Sequence, residues 1–107
     1  MSTTSLPFSV PTHDQLHAWL NNNPTWRLAQ DERRSCIVAE FRFPTFRAAR
    51  NFVNQSMNLA KDMDHHPELW NSFRSVILTL KSWDANDTVA EIDLTMAEKL
   101  SDLAEAA

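Results

Sequence analysis

The spacing of apolar residues predicts a first helix that begins after Thr12 and stops before Pro24. Its apolar residues recur at three- and four-residue intervals, the periodicity of an amphipathic helix: Leu16, Trp19 and Leu20. Thr12 and Gln15 have the spacing of a capping box, in which each side chain bonds the other residue's backbone N–H. The run Asn21–Asn23 then ends the apolar pattern, so we place the end of the helix there.

Apolar and polar residues alternate from Ser35 to Phe43, which predicts a strand with one buried face. The inward-facing set is Ile37, Ala39, Phe41 and Phe43. Trp26-Arg27-Leu28 predicts a shorter strand before it. Pro44 breaks the longer strand, and Thr45 caps a second helix that runs to about Met63. The predicted apolar stripe of this helix is Phe46, Ala49, Val53, Met57 and Ala60, flanked by Phe52 and Leu59.

The last third of the chain predicts one long strand and one helix. The strand extends from Ser72 to Trp83, with Val76, Leu78 and Leu80 on one face. The segment Thr88-Val89-Ala90-Glu91 has the spacing of a capping box and predicts the start of the last helix. The apolar residues of that helix are Ile92, Met96, Leu100 and Leu103.

These elements predict an α+β fold in which helices cover one face of an antiparallel sheet. The order is helix, strand, strand, helix, strand or loop, strand, helix. We expect a flexible segment over residues 1–11 and a single domain over residues 12–107. The uncovered face of such a sheet, or its edge strand, commonly binds a second copy of the chain, so a homodimer or homotetramer is expected.

Composition narrows the function classes. The chain has 107 residues, enough for one domain, and a net charge of −4, which argues against a nucleic-acid-binding platform. Cys36 is the single cysteine, so no internal disulfide can form. There is no apolar run of membrane-spanning length, and the first twelve residues contain no Lys or Arg. We therefore expect a cytoplasmic protein without a membrane partner.

The sequence contains no glycine. Backbone positions with positive φ must then fall to other residues, of which Asn and Asp tolerate the left-handed region best. We expect such positions at Asn21–Asn23 and at Asn86-Asp87.

The candidate chemistry lies in Asp64-His65-His66-Pro67, between a predicted helix and a predicted strand. Histidine titrates near neutral pH, so two imidazoles can supply a proton donor and a proton acceptor. Adjacent residues of a regular strand point to opposite faces, so both rings reach one ligand only if the segment curves. The alternative is that two neighbouring histidines occur by chance in a polar connector.

The spacing of other residues around this segment resembles the signature of the pterin-4a-carbinolamine dehydratase family. The residues that carry it are Lys61, His65-His66-Pro67, Phe73, Trp83 and Asp93. The resemblance extends from Trp26 to Leu103 and includes three further stretches: Phe41-Arg42-Phe43, Phe52 with Ala60, and Asp93-Leu94-Thr95-Met96-Ala97.

The resemblance implies a four-stranded antiparallel sheet, dimers that can pair into tetramers, and a pocket for a reduced pterin. The family reaction removes water from 4a-hydroxytetrahydrobiopterin to give quinonoid dihydropterin, which recycles tetrahydrobiopterin for aromatic amino-acid hydroxylation. It requires no metal and no cofactor besides the pterin substrate. By resemblance His65 and His66 are the catalytic residues, one in proton transfer and the other in orienting the pterin. The implied substrate-binding set is Asp64, His65, His66, Pro67, Ser82, Trp83 and Asp84.

Trp83 departs from the family pattern, because many members have a third histidine at this position. Its indole N–H can donate a hydrogen bond, and its ring can stack on a pterin, but it carries no titratable group. The alternative is a structural role in which Trp83 fills the end of a strand.

Two further interpretations stay open. A weakly active or inactive family member would serve as a protein-binding dimerisation cofactor of a transcription regulator, and the same pocket would also suit an enzyme of a related pterin pathway such as molybdopterin metabolism. His13 and His17 have the i, i+4 spacing of a metal chelate, but no third ligand is evident, so solvated histidines at the helix edge are the better interpretation. Cys36 is interpreted as a buried, inert thiol.

Overall fold

A computed structural model describes residues 9–107 of the chain. Three helices and four strands follow the predicted order α-β-β-α-β-β-α. Their bounds are α1 His13–Asn22, β1 Arg27–Gln30, β2 Ser35–Arg42, α2 Phe46–Met63, β3 Glu68–Ser72, β4 Ser75–Leu80 and α3 Glu91–Ala106. The α+β fold class is confirmed, and a single 3₁₀ turn, Trp83–Ala85, lies between β4 and α3.

The four strands form one antiparallel sheet in the order β1-β2-β4-β3. The register sets Ile37 opposite Leu80 and Ala39 opposite Leu78, so inward-facing apolar residues lie side by side across the central strands. All four of these side chains are fully buried. The predicted inward faces of β2 and β4 are therefore confirmed, and α2 and α3 contribute the other side of the core.

Helix α2 begins as predicted, because the Thr45 side chain accepts a hydrogen bond from the Ala48 backbone N–H. The predicted stripe on this helix is wrong in part. Phe46 and Met57 are 44% and 43% exposed. The buried stripe is instead Ala49, Phe52, Ser56 and Ala60.

The orientation of α2 follows from its largest apolar ring. Phe52 lies on the rings of Phe41 and Phe43, with centroids 5.3 and 5.1 Å away. The buried residues on either side of Phe52 along the helix are Ala or Ser, which allow the helix backbone to approach the sheet closely. The helix is thus rotated toward Phe52, and Phe46 and Met57 turn to the surface.

The predicted long strand Ser72–Trp83 is wrong in its bounds. The chain turns at Phe73 and Arg74, so β3 and β4 form a tight hairpin, and Trp83 lies beyond the strand in the 3₁₀ turn. Phe73 has φ = 51°, a left-handed conformation that bulky residues rarely adopt. The hairpin turn has none of the usual turn residues at this position, and the sequence pattern alone therefore did not indicate it.

Positive φ occurs at four described residues: Asp64, Phe73, Asn86 and Asp87. The prediction for Asn86-Asp87 is confirmed. The prediction for Asn21–Asn23 is wrong, because none of these residues has positive φ and Asn23 ends α1 with φ = −133°. Capping of α1 by Thr12 and Gln15 is confirmed.

The last helix begins later than the Thr88 capping box predicts. Its N-cap is Ala90, and the Thr88 hydroxyl donates to the Ala85 carbonyl in the preceding turn. The sequence predicts a flexible segment over residues 1–11. Residues 1–8 of this segment lie outside the described residues. In the described remainder, the Ser9 carbonyl accepts from the Glu91 N–H at 2.8 Å and Pro11 is buried.

The sheet face opposite the helices carries Trp70, which is 58% exposed on edge strand β3. Assembly through this face or edge stays a prediction. Within residues 9–107, no helix is both long enough and apolar enough to cross a membrane.

Thr45→Ala tests the cap that starts α2. Because the substitution removes the acceptor for the Ala48 N–H, we expect a loss of about 1 kcal/mol in the free energy of unfolding. Urea denaturation should show a lower midpoint with an unchanged slope. The matched control is Thr95→Ala at an exposed position inside α3, and equal midpoints for the two variants would contradict the capping role.

Candidate functional site

The buried carboxylate of Asp93 connects three segments of the chain. Asp93 lies in the first turn of α3 and is fully buried. Its Oδ1 lies 2.6 Å from His65 Nε2, while its Oδ2 accepts from the Ser82 hydroxyl at 2.7 Å and from the Ala90 N–H at 2.8 Å. Burying a carboxylate is costly unless such partners replace its hydration. The three contacts, together with the N-terminal end of α3, make this position tolerable for a carboxylate.

Strand pairing brings the same segments together independently of Asp93. In the antiparallel hairpin, Glu68 at the start of β3 pairs with Thr79 near the end of β4. Continuing this register sets His65 opposite Ser82, and their shared bonds to Asp93 agree with that placement. The same register sets His66 opposite Lys81. The histidine segment and the Lys81–Asp84 segment are therefore neighbours at one end of the sheet.

The two histidines point to opposite sides of their segment. His65 is buried at 8% exposure against Asp93, and His66 is exposed. The alternation continues through Pro67 and Glu68 into β3, as an extended backbone requires. The segment is therefore an extended continuation of β3. It does not curve so as to present both rings to one ligand.

The end of α2 determines where this segment begins. Asp64 is the C-cap of α2 in the left-handed conformation, and the His65 N–H donates to the Ala60 carbonyl at 3.0 Å. Asp tolerates this conformation better than most residues, which suits the chain's lack of glycine. The Asp64 carboxylate is exposed beside His66, while Lys61 is exposed in the last turn of the helix.

Trp83 is 81% exposed at the start of the 3₁₀ turn. It does not fill the end of a strand, so its indole face is accessible to a ligand. Lys81 Nζ lies 5.9 Å from the centroid of this ring. The loop closes behind Trp83 through Asn86 and Asp87, both left-handed, and Asp84 is exposed within it.

Phe73 lies away from this cluster although it belongs to the same sequence signature. It occupies the hairpin turn, at the opposite end of β3 and β4 from the histidines. Its ring stacks on Phe46 with centroids 6.2 Å apart, and Arg74 lies 5.4 Å from its centroid. The spaced signature thus combines site residues with residues that belong to a different surface.

Two residues of the site have no role in the predictions from sequence. Asp93 supports the family signature, but its place as a buried anchor is visible only in the structure. A signal was present, because Asp93 lies at helical spacing with the buried Met96, Ala97 and Leu100. An acid on an apolar stripe indicates a specific polar partner. Lys81 was not singled out at all.

The His13–His17 pair and Cys36 are weaker candidates for metal binding or catalysis. The His13 and His17 rings are exposed, with centroids 4.2 Å apart. Across residues 9–107, no group of three His, Cys, Asp or Glu side chains is placed to hold a metal ion. Cys36 is half-buried, and burial raises the pKa of its thiol. A raised pKa reduces the reactive thiolate, in agreement with an inert cysteine.

Asp93→Ala tests the anchor. The substitution leaves the buried Ser82 hydroxyl and Ala90 N–H without their acceptor, so we expect a loss of about 2–4 kcal/mol in the free energy of unfolding. Urea denaturation measures the loss, with Asp102→Ala at an exposed position of α3 as the matched control. A loss no greater than that of the control would show that Asp93 does not hold the three segments together.

Comparison with known proteins shows which family the chain is similar to. The family model described as pterin 4 alpha carbinolamine dehydratase matches residues 9–103. A protein of Rhizobium meliloti, assigned by name to the pterin-4-alpha-carbinolamine dehydratases, is 39% identical over 80 residues, covering 75% of this chain and 74% of its own. A protein of Metallosphaera sedula with the same assignment is 35% identical over 95 residues, covering 89% of this chain and 91% of its own.

Two solved structures share the fold. The transcriptional coactivator/pterin dehydratase from Brucella melitensis superposes with a TM-score of 0.79 at 31% identity, covering 90% of this chain and 99% of its own. A pterin dehydratase-like protein identified as a RuBisCO assembly factor in the alpha-carboxysome has a TM-score of 0.66 at 20% identity, covering 75% and 89% of the two chains. The second likeness concerns the fold alone. With a family model that spans most of its length and relatives above 30% identity, the chain belongs to the pterin-4a-carbinolamine dehydratase family.

Proposed function

We propose that the protein dehydrates 4a-hydroxytetrahydrobiopterin to quinonoid dihydropterin and so recycles tetrahydrobiopterin for aromatic amino-acid hydroxylation. The observation that carries this proposal is the Asp93 network, which holds the segments of an exposed imidazole, His66, and an exposed indole, Trp83, together at one end of the sheet. The reaction breaks the bond from C4a to the hydroxyl oxygen and removes the proton on N5. It needs positioned proton donors and acceptors, and it needs no metal or further cofactor.

In this proposal His66 transfers the N5 proton. It is the exposed member of the histidine pair and lies on the same end of the sheet as Trp83. His65 is oriented by Asp93 and fixes the backbone of the segment, so the His66 ring keeps a defined direction. Asp64, exposed next to the pair, accepts hydrogen bonds from the amino group of the pterin.

Trp83 supplies the stacking surface for the pterin ring. Aromatic rings gain about 0.5–1.5 kcal/mol from offset stacking beyond the area they bury. Because the indole does not titrate, this contribution serves binding rather than proton transfer.

His66→Ala tests the proton-transfer role. We expect purified protein to accelerate the dehydration of synthetic 4a-hydroxytetrahydropterin, followed by absorbance of the quinonoid product. The variant should lose about 10²–10⁴-fold in kcat, the usual contribution of a general base. His17→Ala, at an exposed helix position in α1, is the matched control and should retain the wild-type rate. Absence of acceleration by the unmodified protein would refute dehydratase activity.

Trp83→Ala tests the stacking role. Removing the indole should raise KM about 10-fold with little change in kcat, because stacking is made in both the ground state and the transition state. Trp70→Ala removes another exposed tryptophan, 58% exposed on β3, and should leave KM unchanged. A large fall in kcat at constant KM would contradict a binding role for Trp83.

A protein-binding role is the second candidate. The surface formed by Phe46 and Phe73 favours it, because both rings are exposed and Arg50 and Arg74 lie over them. Aromatic and arginine side chains are enriched at protein interfaces. The name of the Brucella melitensis structure combines coactivator and dehydratase functions. A stable stoichiometric complex with a transcription regulator, together with absence of turnover, would favour this role over the enzyme.

A further inference from the structure

Lys81 holds a positive charge between the histidine segment and Trp83. Its side chain is 26% exposed, with Nζ 3.0 Å from Asp87 Oδ1 and 3.9 Å from Glu68 Oε2. The same nitrogen lies 5.9 Å from the centroid of the Trp83 ring. The ammonium therefore lies among three segments of the chain.

Lys81 and His66 lie on the same side of the sheet end. Leu80 and Ser82 are fully buried on the helix side, so Lys81 between them projects to the opposite side. The register of β3 and β4, continued beyond Glu68 and Thr79, sets His66 opposite Lys81. His66 is exposed while its neighbour His65 is buried, so the His66 side chain points to the same side as Lys81.

The proposed dehydration needs a donor on this side in addition to a base. Since the departing oxygen leaves with the electron pair of the broken bond, it must gain a proton to become water. His65 is directed to Asp93 on the other side of its segment, and the indole of Trp83 does not titrate. On the side shared by His66 and Trp83, His66 supplies an imidazole and Lys81 an ammonium for these two protons.

We propose that Lys81 is the proton donor to the departing 4a-hydroxyl, and that the pterin binds with its C4a–O bond directed at Lys81 Nζ. This inference rests on the proposed dehydratase function. As the C4a–O bond breaks, a Lys81 proton passes to the oxygen and water forms. His66 takes the N5 proton, and the electron pair of the N5–H bond becomes the second bond between N5 and C4a. Proton exchange with solvent then restores the ammonium and the neutral imidazole.

The acidities favour this direction of transfer. Water, the conjugate acid of hydroxide, is a much weaker acid than a lysine ammonium, so donation to a departing hydroxide is downhill. The Asp87 carboxylate, with its Oδ1 3.0 Å from Lys81 Nζ, is the main cause that raises the lysine pKa, and the charge of Glu68 adds to it. Burial and the charge of Arg34 act in the opposite direction. Two further titratable side chains flank Lys81 in the continued registers, the half-buried Cys36 thiol from β2 and the His66 imidazole from the segment before β3.

Lys81→Met and Lys81→Arg test the donor in the dehydration assay. The methionine variant should lose about 10²-fold or more in kcat with KM changed by less than about threefold, as expected when a proton donor is lost. The arginine variant keeps the positive charge but does not give up a proton, so its kcat should be nearly as low as that of the methionine variant. Lys99→Met, at an exposed position of α3, is the matched control and should leave kcat unchanged.

The pH dependence of kcat separates proton donation from a structural role. Activity requires protonated Lys81, so the rate should fall as pH rises through the lysine pKa. Asp87 raises that pKa, and Asp87→Asn should therefore move the alkaline fall in rate to lower pH. Asparagine also tolerates the left-handed backbone of position 87, where φ is 62°. The Asp87→Asn variant therefore tests proton donation by Lys81 even if Lys81→Met does not fold.

The outcomes separate the two proposals. If the unmodified protein and the His66→Ala variant behave as expected but Lys81→Met keeps the wild-type kcat, the donor role is wrong and the dehydratase function stands. If Lys81→Arg recovers most of kcat, or if Asp87→Asn leaves the alkaline fall in place, Lys81 acts through its charge or by holding the loop and the proposal is overturned. If the unmodified protein does not accelerate dehydration, both proposals fail.

Discussion

The carboxylate of Asp93 is the constraint on which the site depends. It is fully buried, and a buried carboxylate is tolerable only when protein donors replace water. Its partners come from the start of α3, from the residue after Lys81 and from the first histidine of the pair. Satisfying one buried charge therefore fixes three segments that are distant in sequence, and the site is built where they meet.

The Asp93 network places the two adjacent histidines in different environments. His65 turns inward because the strand that follows alternates and because Asp93 binds its ring. His66 turns outward by the same alternation, toward the side that carries Lys81 and the exposed Trp83. A pair that looks like two equivalent groups in the sequence is thus one buried residue and one accessible residue. In the proposed dehydration, the second proton therefore falls to a residue from another segment, Lys81.

Local sequence signals predicted the elements well where the stabilising interaction is itself local. Thr12 with Gln15 and Thr45 cap the first two helices as expected, because these contacts span only three residues. The alternation of apolar and polar residues in β2 and β4 likewise predicted which face of each strand is buried. Prediction failed where a distant contact or an unusual conformation decided the outcome. Phe52 rotates α2 by packing on Phe41 and Phe43, and Phe73 turns the chain with positive φ although its residue type does not indicate a turn.

The sequence by itself determined the order of elements, the helix starts at Thr12 and Thr45, and the residues that mark the family. These depend on periodicity and on contacts within one turn or strand, which neighbouring residues specify. Only the tertiary structure decided that His65 and His66 face opposite sides, that Asp93 is the anchor and that Lys81 lies with His66. Those relations depend on strand register and on the desolvation of a single carboxylate, which are properties of how segments meet. The physical reason is that a buried charge selects its partners by distance in space, and sequence spacing does not encode that distance.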